Sequence, residues 1–450
     1  MLPRRALVSP AAAETRYDVR QVAWMLAVAC VGTPAEAREE ARMEKRLAAY
    51  VEAHTETAID LLERVVNVNS GTMNPAGVRA VADILRPELE ELGFDVRWVP
   101  GDAFGRAGHL VAERTGTGPR ILLIGHLDTV FEADSPFQRF ERDGWSARGP
   151  GVLDMKGGDI VLLLALRALA AVGALQEMNV SVILTGDEEA TGSPLEEARR
   201  ELMALAQASD FAIGFEDGDG DPRTAVIARR GSSSWRIESY GVRAHSSQIH
   251  QPEVGSGAIF EAARMLMAVH GVHEPELSMS PGLVLGGTQV EHDEERDRGR
   301  AHGKENVVAE RAITTGDLRP LSLAQRERVK SLMQEASKSA LPQTSSIVIF
   351  RDSYPPMEPS DANRSLLAML DRASRDLGEG GVAAANVRKL GAADISFAAP
   401  HVRAAIDGLG LGGEGGHTVH EQADLRTLPL QAKRAALLML RLSGGALAAP

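Results

Sequence analysis

The chain has 450 residues, of which 44% are hydrophobic, and a formal net charge of -13. That length is too great for one ordinary core, so two domains or one large interrupted domain is expected. Acidic and basic residues are mixed without a basic stripe, which argues against a nucleic-acid partner, and the single cysteine, Cys30, excludes an intrachain disulfide framework.

In chain order, Arg20, an apolar run from Val22 to Gly32 and then Ala35-Glu36-Ala37 read as a charged region, a short hydrophobic core and a small-x-small cleavage site. Residues 1–37 are therefore expected to be an export leader, giving a periplasmic or secreted mature chain; a buried first helix in a cytoplasmic chain is the other reading. The run is too short to cross a bilayer as a helix. Helical apolar spacing follows over 44–68 and 75–92, with Gly93 placed to end the second helix.

Short β-rich runs at 95–99, 109–113, 121–125, 180–185 and 211–215 alternate with helical stretches at 160–172 and 194–206. The alternation predicts an α/β fold, a sheet with helices on both faces. From about Thr224 the texture changes, with strands at 233–239 and 313–318 and helices at 259–270 and 323–337, which reads as a smaller α+β insert. Beyond Ser345 helix and strand alternate again, ending in an amphipathic helix over 430–442. The expected plan is one domain in two parts, 45–223 and 345–450, interrupted by an insert over 224–344. The charged stretch from His292 to Glu305 reads as a solvated loop.

Several strands end in residues that bind cations. The run Arg120-Ile-Leu-Leu-Ile-Gly-His-Leu-Asp-Thr129 closes on His126 and Asp128, which period-two geometry turns to one side. In open α/β sheets ligands collect beyond the carboxyl ends of strands. A second strand runs into Asp187-Glu188-Glu189, adjacent carboxylates that repel one another unless a cation neutralises them; a solvated acidic turn is the bland alternative. Asp154 lies in Gly149-Pro-Gly-Val-Leu-Asp-Met-Lys-Gly-Gly158, Glu216 ends a further strand, and His417 closes Gly412-Gly-Glu-Gly-Gly-His417. Two histidines and three carboxylates make a donor set suited to zinc.

With those motifs in order, the sequence resembles the co-catalytic dizinc metallopeptidase family of glutamate carboxypeptidase, acetylornithine deacetylase, succinyl-diaminopimelate desuccinylase and aminoacylase, over about residues 45 to 442. The resemblance implies a zinc-exopeptidase-like mixed sheet whose insert is a lid and dimerisation domain, and hence a homodimer. It implies two Zn2+ per subunit, with Co2+ or Mn2+ as alternatives: His126, Asp154 and Glu216 on one, Asp154, Glu189 and His417 on the other. Glu188 would be the general base, Asp128 would orient His126, and the peptide after Asp154 would be cis. Gly241-Val-Arg-Ala-His245-Ser resembles the family motif whose histidine, His245 here, supports the oxyanion, characteristically in the neighbouring subunit's site; Asn306 resembles a substrate-contacting asparagine.

The implied activity is hydrolysis of an amide bond to release a C-terminal amino acid from a small peptide or N-acyl amino acid, through a metal-bridging hydroxide. An N-acyl amino acid deacylase is the alternative within the enzyme class, and a non-catalytic peptide-binding protein on the same scaffold the alternative outside it. One departure bears on specificity. Where the glutamate carboxypeptidases carry an arginine before a proline to grip the substrate carboxylate, this chain has Tyr354 in Arg351-Asp-Ser-Tyr-Pro-Pro-Met357, so Tyr354 or Arg351 would have to meet the substrate.

Overall fold

A computed structural model describes residues 34–294, 296 and 298–445. Most of the expected leader therefore lies outside the described residues. Residues Leu47–Pro450 form one compact unit, separate from Met1–Arg46, and helix α1 runs Pro34–Val66. Among the described residues no helix is long and apolar enough to cross a membrane.

Helix α2, Pro75–Glu91, starts where the sequence can satisfy a helix end. The Asn74 side chain accepts from the Gly77 amide at 3.2 Å and Pro75 follows as the first helical residue. Its buried face is Val78, Val81, Ala82, Leu85 and Leu89. Strands β1 (Asp95–Pro100), β2 (Gly108–Arg114), β3 (Thr117–His126), β4 (Met178–Thr185), β5 (Phe211–Gly214) and, late in the chain, Ala404–Ile406 form a six-stranded mixed sheet in the order β1, β2, β4, β3, β5, Ala404–Ile406. The first two strands are antiparallel, while β4, β3, β5 and the late strand run parallel.

Alternation along β3 sends its side chains to two cores. Leu122 and Ile124 join Leu202, Leu205 and Ile395 on one face. Ile121 and Leu123 turn to the other, where helices α3, Lys156–Ala171, and Thr427–Ser443 pack. All four side chains are essentially buried, each contributing roughly 1.5–3 kcal/mol relative to exposure. That packing fixes the end of β3, and with it His126.

A second, four-stranded sheet is antiparallel throughout. It takes β6 (Ser233–Tyr240), β7 (Ser278–Gly287), β8 (Arg311–Arg319) and β9 (Ser345–Asp352) in the order β7, β8, β6, β9. Helices α4 (Ala258–His270) and α5 (Leu323–Lys338) share a core with it around Trp235, Met265, Leu318 and Val329. Two expectations change here. Because β9 pairs with β6, the second sheet continues to Asp352 instead of ending before Ser345. The charged stretch expected as a loop instead contains a hairpin, Gln289–Asp293 against Arg298–His302.

Candidate metal and catalytic site

The parallel strands place their ends side by side. His126 pairs with Thr185 in the β3–β4 register, so the turn Gly186–Glu189 begins next to the imidazole. On the other side β5 ends at Gly214 opposite Ile124, and the chain continues through Phe215 to Glu216. The loop carrying Asp154 precedes α3, and the Asp154–Met155 peptide is cis.

Four of the five expected ligands surround the fifth, Asp154. His126 Nε2 lies 3.2 Å from Asp154 Oδ1 and 3.3 Å from Glu216 Oε1. His417 Nε2 lies 2.9 Å from Asp154 Oδ2 and 3.3 Å from Glu189 Oε2. The two oxygens of one carboxylate thus face two different histidines. Donor atoms of His126, Asp154 and Glu189, and separately of His126, Glu188 and Glu216, come within 4.8 Å of one another. These two triads overlap at His126, whereas the direct approaches divide the donors into His126–Asp154–Glu216 and Asp154–Glu189–His417.

The electrostatics call for positive charge. Burial, then the Asp154 charge, pushes the Glu189 carboxyl up to about 7, and the same two causes raise Glu216. Burial raises Glu188 well above the carboxylate range. Burial also acts to raise Asp154, but hydrogen bonds from His126 and His417 outweigh it and hold the group low. Hydrogen bonds to Asp154 and Glu189 in turn push His417 up to about 11. A cation among these carboxylates would supply the same stabilisation directly. Glu189 Oε1 is buried with no hydrogen-bond partner, a free lone pair on a member of a nitrogen and oxygen donor set, which fits a divalent metal.

A cleft of about 450 Å³ opens on these groups, lined by Asp154, Glu188, Glu216, Asp217, His417 and Lys389 among others. Residues 122–441 match the family model described as Peptidase family M20/M25/M40. The chain belongs to that family. Over 433 residues it is 26% identical to carboxypeptidase G2 of Pseudomonas sp. (strain RS-16), covering 93% of this chain and 98% of that protein. It is 32% identical over 205 residues to succinyl-diaminopimelate desuccinylase of Gluconacetobacter diazotrophicus, covering 44% of this chain and about half, 52%, of that one. Among solved structures, the aminopeptidase PepT of Bacillus cereus superposes with a TM-score of 0.67 at 19% identity, covering 86% of this chain and 98% of that chain. The M20 family metallo-carboxypeptidase Sso-CP2 of Sulfolobus solfataricus superposes at 0.60 and 15% identity, covering 85% and 98%. The protein is a metal-dependent hydrolase of peptide or amide bonds with the mixed α/β fold of these neighbours.

In this M20 chain the residues that hold the candidate ligands matter as much as the candidates themselves. Asp128 Oδ1 accepts the Glu188 amide at 3.0 Å, and its Oδ2 accepts the Glu189 amide at 3.2 Å and the Thr72 hydroxyl at 2.6 Å. Its backbone carbonyl sits 3.0 Å from His126 Nδ1, closer than its carboxylate at 3.5 Å. Asp128 therefore braces the Glu188–Glu189 turn, while its backbone carbonyl faces His126 Nδ1. Glu421 accepts the amides of Leu153 at 2.8 Å and Asp154 at 3.2 Å, and Asp407 accepts the Glu216 amide at 3.3 Å. Asp407 did not enter the sequence reading; its signal was a strand ending in a carboxylate, Ala404-Ala-Ile-Asp407, the pattern of the candidate ligands.

Tyr354 and Arg351, expected at the substrate, are placed elsewhere. Tyr354 is 8% exposed, and its hydroxyl donates to the Glu188 carbonyl at 2.8 Å while accepting from Arg199 at 2.9 Å. Arg199, itself buried, bonds Asp187 at 2.6 Å and Asp394 at 2.8 Å, which gives the Gly391–Asp394 turn a structural role. Arg351 is exposed on β9 and pairs with Glu294. His245 and Asn306 adjoin each other, since His245 bridges to Val307 and the Ser246 amide donates to the Asn306 carbonyl at 2.9 Å. Both are exposed, and neither lines the cleft within this chain.

Proposed function

We propose that this chain hydrolyses the amide bond joining a C-terminal amino acid to a peptidyl or acyl group, in the manner of a glutamate carboxypeptidase. The observation that carries the reading is the shared Asp154, with one oxygen toward His126, which also faces Glu216, and the other toward His417, which also faces Glu189, and Glu188 beside them. Two zinc ions would be held by those two sets, with Co2+ or Mn2+ also accommodated. When bound, the cations acidify water and polarise the scissile carbonyl.

Glu188 then does the proton work. It takes a proton from the attacking water and delivers it to the departing amine, so its carboxylate must stay within hydrogen-bond reach of both. Asp128 and Tyr354 fix the backbone on which it sits. His245, brought from the second sheet with Asn306 beside it, would donate to the developing oxyanion; its exposure in a single chain supports delivery by a partner subunit of a homodimer, with the insert, carried through β9 to Asp352, serving as lid. The apolar N-terminal run supports export to the periplasm or beyond, which sequencing of the mature N-terminus would test.

The test is release of free amino acids from a panel of N-acyl amino acids, dipeptides and folate-like glutamyl conjugates by zinc-loaded protein. Turnover that a chelator abolishes and metal restores is expected. Metal-loaded protein that binds panel members without cleaving any of them would sink the reading in favour of a binding protein.

A further inference from the structure

The amino acid leaving in the proposed reaction bears a free carboxylate, yet the cleft that would receive it is lined by Asp154, Glu188, Glu216, Asp217 and Asp219. Bound cations would offset the inner carboxylates. An anion approaching past Asp217 and Asp219 still needs a positive group of its own.

Neither residue expected from the sequence supplies one. The Tyr354 hydroxyl is committed to the Glu188 carbonyl, and Arg351 is paired with Glu294 on the other sheet. Of the basic groups lining the cleft besides His417, Arg229 is 3% exposed, and its guanidinium is bonded to Asp407 at 2.8 and 2.9 Å and to the Gly391 carbonyl at 2.9 Å. Lys389 is different. Its side chain is exposed, and among the described residues its ammonium has no hydrogen bond or ion pair.

The backbone under Lys389 is nonetheless fixed. It ends a one-turn helix, Val387–Lys389, capped by the Asn386 side chain, which accepts the Arg388 amide at 3.0 Å, and the next residue, Leu390, is buried in the core. Asp221, an acid that feels its charge, is already held by Arg223 at 2.6 Å. Lys389 is thus an uncommitted cation on a rigid base, at the wall of an otherwise acidic cleft.

We propose that Lys389 receives a free carboxylate of the substrate's leaving amino acid and sets the preference for free acids over amides. The inference rests on the hydrolase reading and adds to it the residue that replaces the missing arginine. As a flexible point charge, lysine recognises the anion without the planar fork of arginine, so the preference should weaken with added salt.

The experiment compares zinc-loaded wild type, Lys389→Met and Lys389→Arg on N-acyl glutamate, leucine and alanine, each with every carboxylate in turn converted to a primary amide. Wild type should favour the free acid in kcat/KM, Lys389→Met should lose at least tenfold of that preference, mainly through KM, and Lys389→Arg should keep most of it. Turnover with no acid preference in wild type, or a preference intact in Lys389→Met, overturns the inference while leaving the hydrolase standing. Absence of turnover by wild type on the whole panel removes the hydrolase reading, and the inference with it.

Discussion

The carboxyl edge of the six-stranded sheet and the exposed rim of the four-stranded sheet both carry residues assigned to catalysis, but they hold them in opposite ways. At the first, the carboxylates are braced: Glu421 under Asp154, Asp128 under Glu188 and Glu189, and Asp407 under Glu216. At the second, His245 is exposed and its ring contacts only Ser247, at 2.8 Å, among the described residues. A buried, propped group can act where it stands. An exposed one must be brought to its target, so the first region should respond to substitution through chemistry and metal affinity, and the second through assembly.

The largest effect is expected at Glu188. Glu188→Gln keeps the shape but removes the proton acceptor, and turnover should fall on the order of 10³-fold, in the upper range for general acid–base catalysis. Metal content, read by elemental analysis, should be unchanged. A variant that keeps a tenth of wild-type kcat would remove Glu188 from the role.

The rim comes next. His245→Ala should lower kcat about 10²-fold, as loss of an oxyanion donor does. Mixing it with Glu188→Gln sharpens the comparison, because a hybrid dimer contains one site with both intact residues if His245 acts across subunits. Recovered activity on mixing is the expected result; equal inactivity of the mixed and separate variants, with hybrids verified by mass, would place His245 in its own subunit's site or outside catalysis.

Asp128→Asn tests the bracing itself. The amide can still accept one backbone hydrogen bond, but its nitrogen then faces the Glu189 amide or the Thr72 hydroxyl, both of which donate to it now. A loss of about 10- to 100-fold in metal affinity or activity is expected, visible as a lower chelator concentration needed for inactivation.

The contrast also explains what the sequence could reveal. Candidate donors at strand ends stood out because a buried apolar run such as Ile121–Ile124 that stops at a histidine is a strong signal, and its position is set by local chain direction. The braces were less legible: Glu421 and Asp407 act through backbone amides 267 and 191 residues away, and no local pattern encodes such distances. The Gln289–His302 hairpin escaped because Arg298–His302 is exposed at every position, so it has no buried face to impose a period of two. Strand β7 escaped for a related reason, an edge position with Pro281 and Gly282 and a register shift between Pro281 and Leu283.

The smallest effect separates the sequence reading of Tyr354 from the structural one. If Tyr354 met the substrate, Tyr354→Phe would raise KM and leave kcat nearly alone. In the structure its hydroxyl instead links the Glu188 carbonyl to Arg199, so phenylalanine keeps the packing against Phe397 and leaves two buried polar groups one partner short, at about 1–3 kcal/mol of stability. Slight drift of the Glu188 backbone should then lower kcat roughly three- to tenfold, at most about 1.4 kcal/mol of barrier, with KM within twofold of wild type and a lower Tm. Because the ion pairs of Arg199 with Asp187 and Asp394 remain, the fold should survive, and the KM-against-kcat split decides whether this tyrosine serves the substrate or the base.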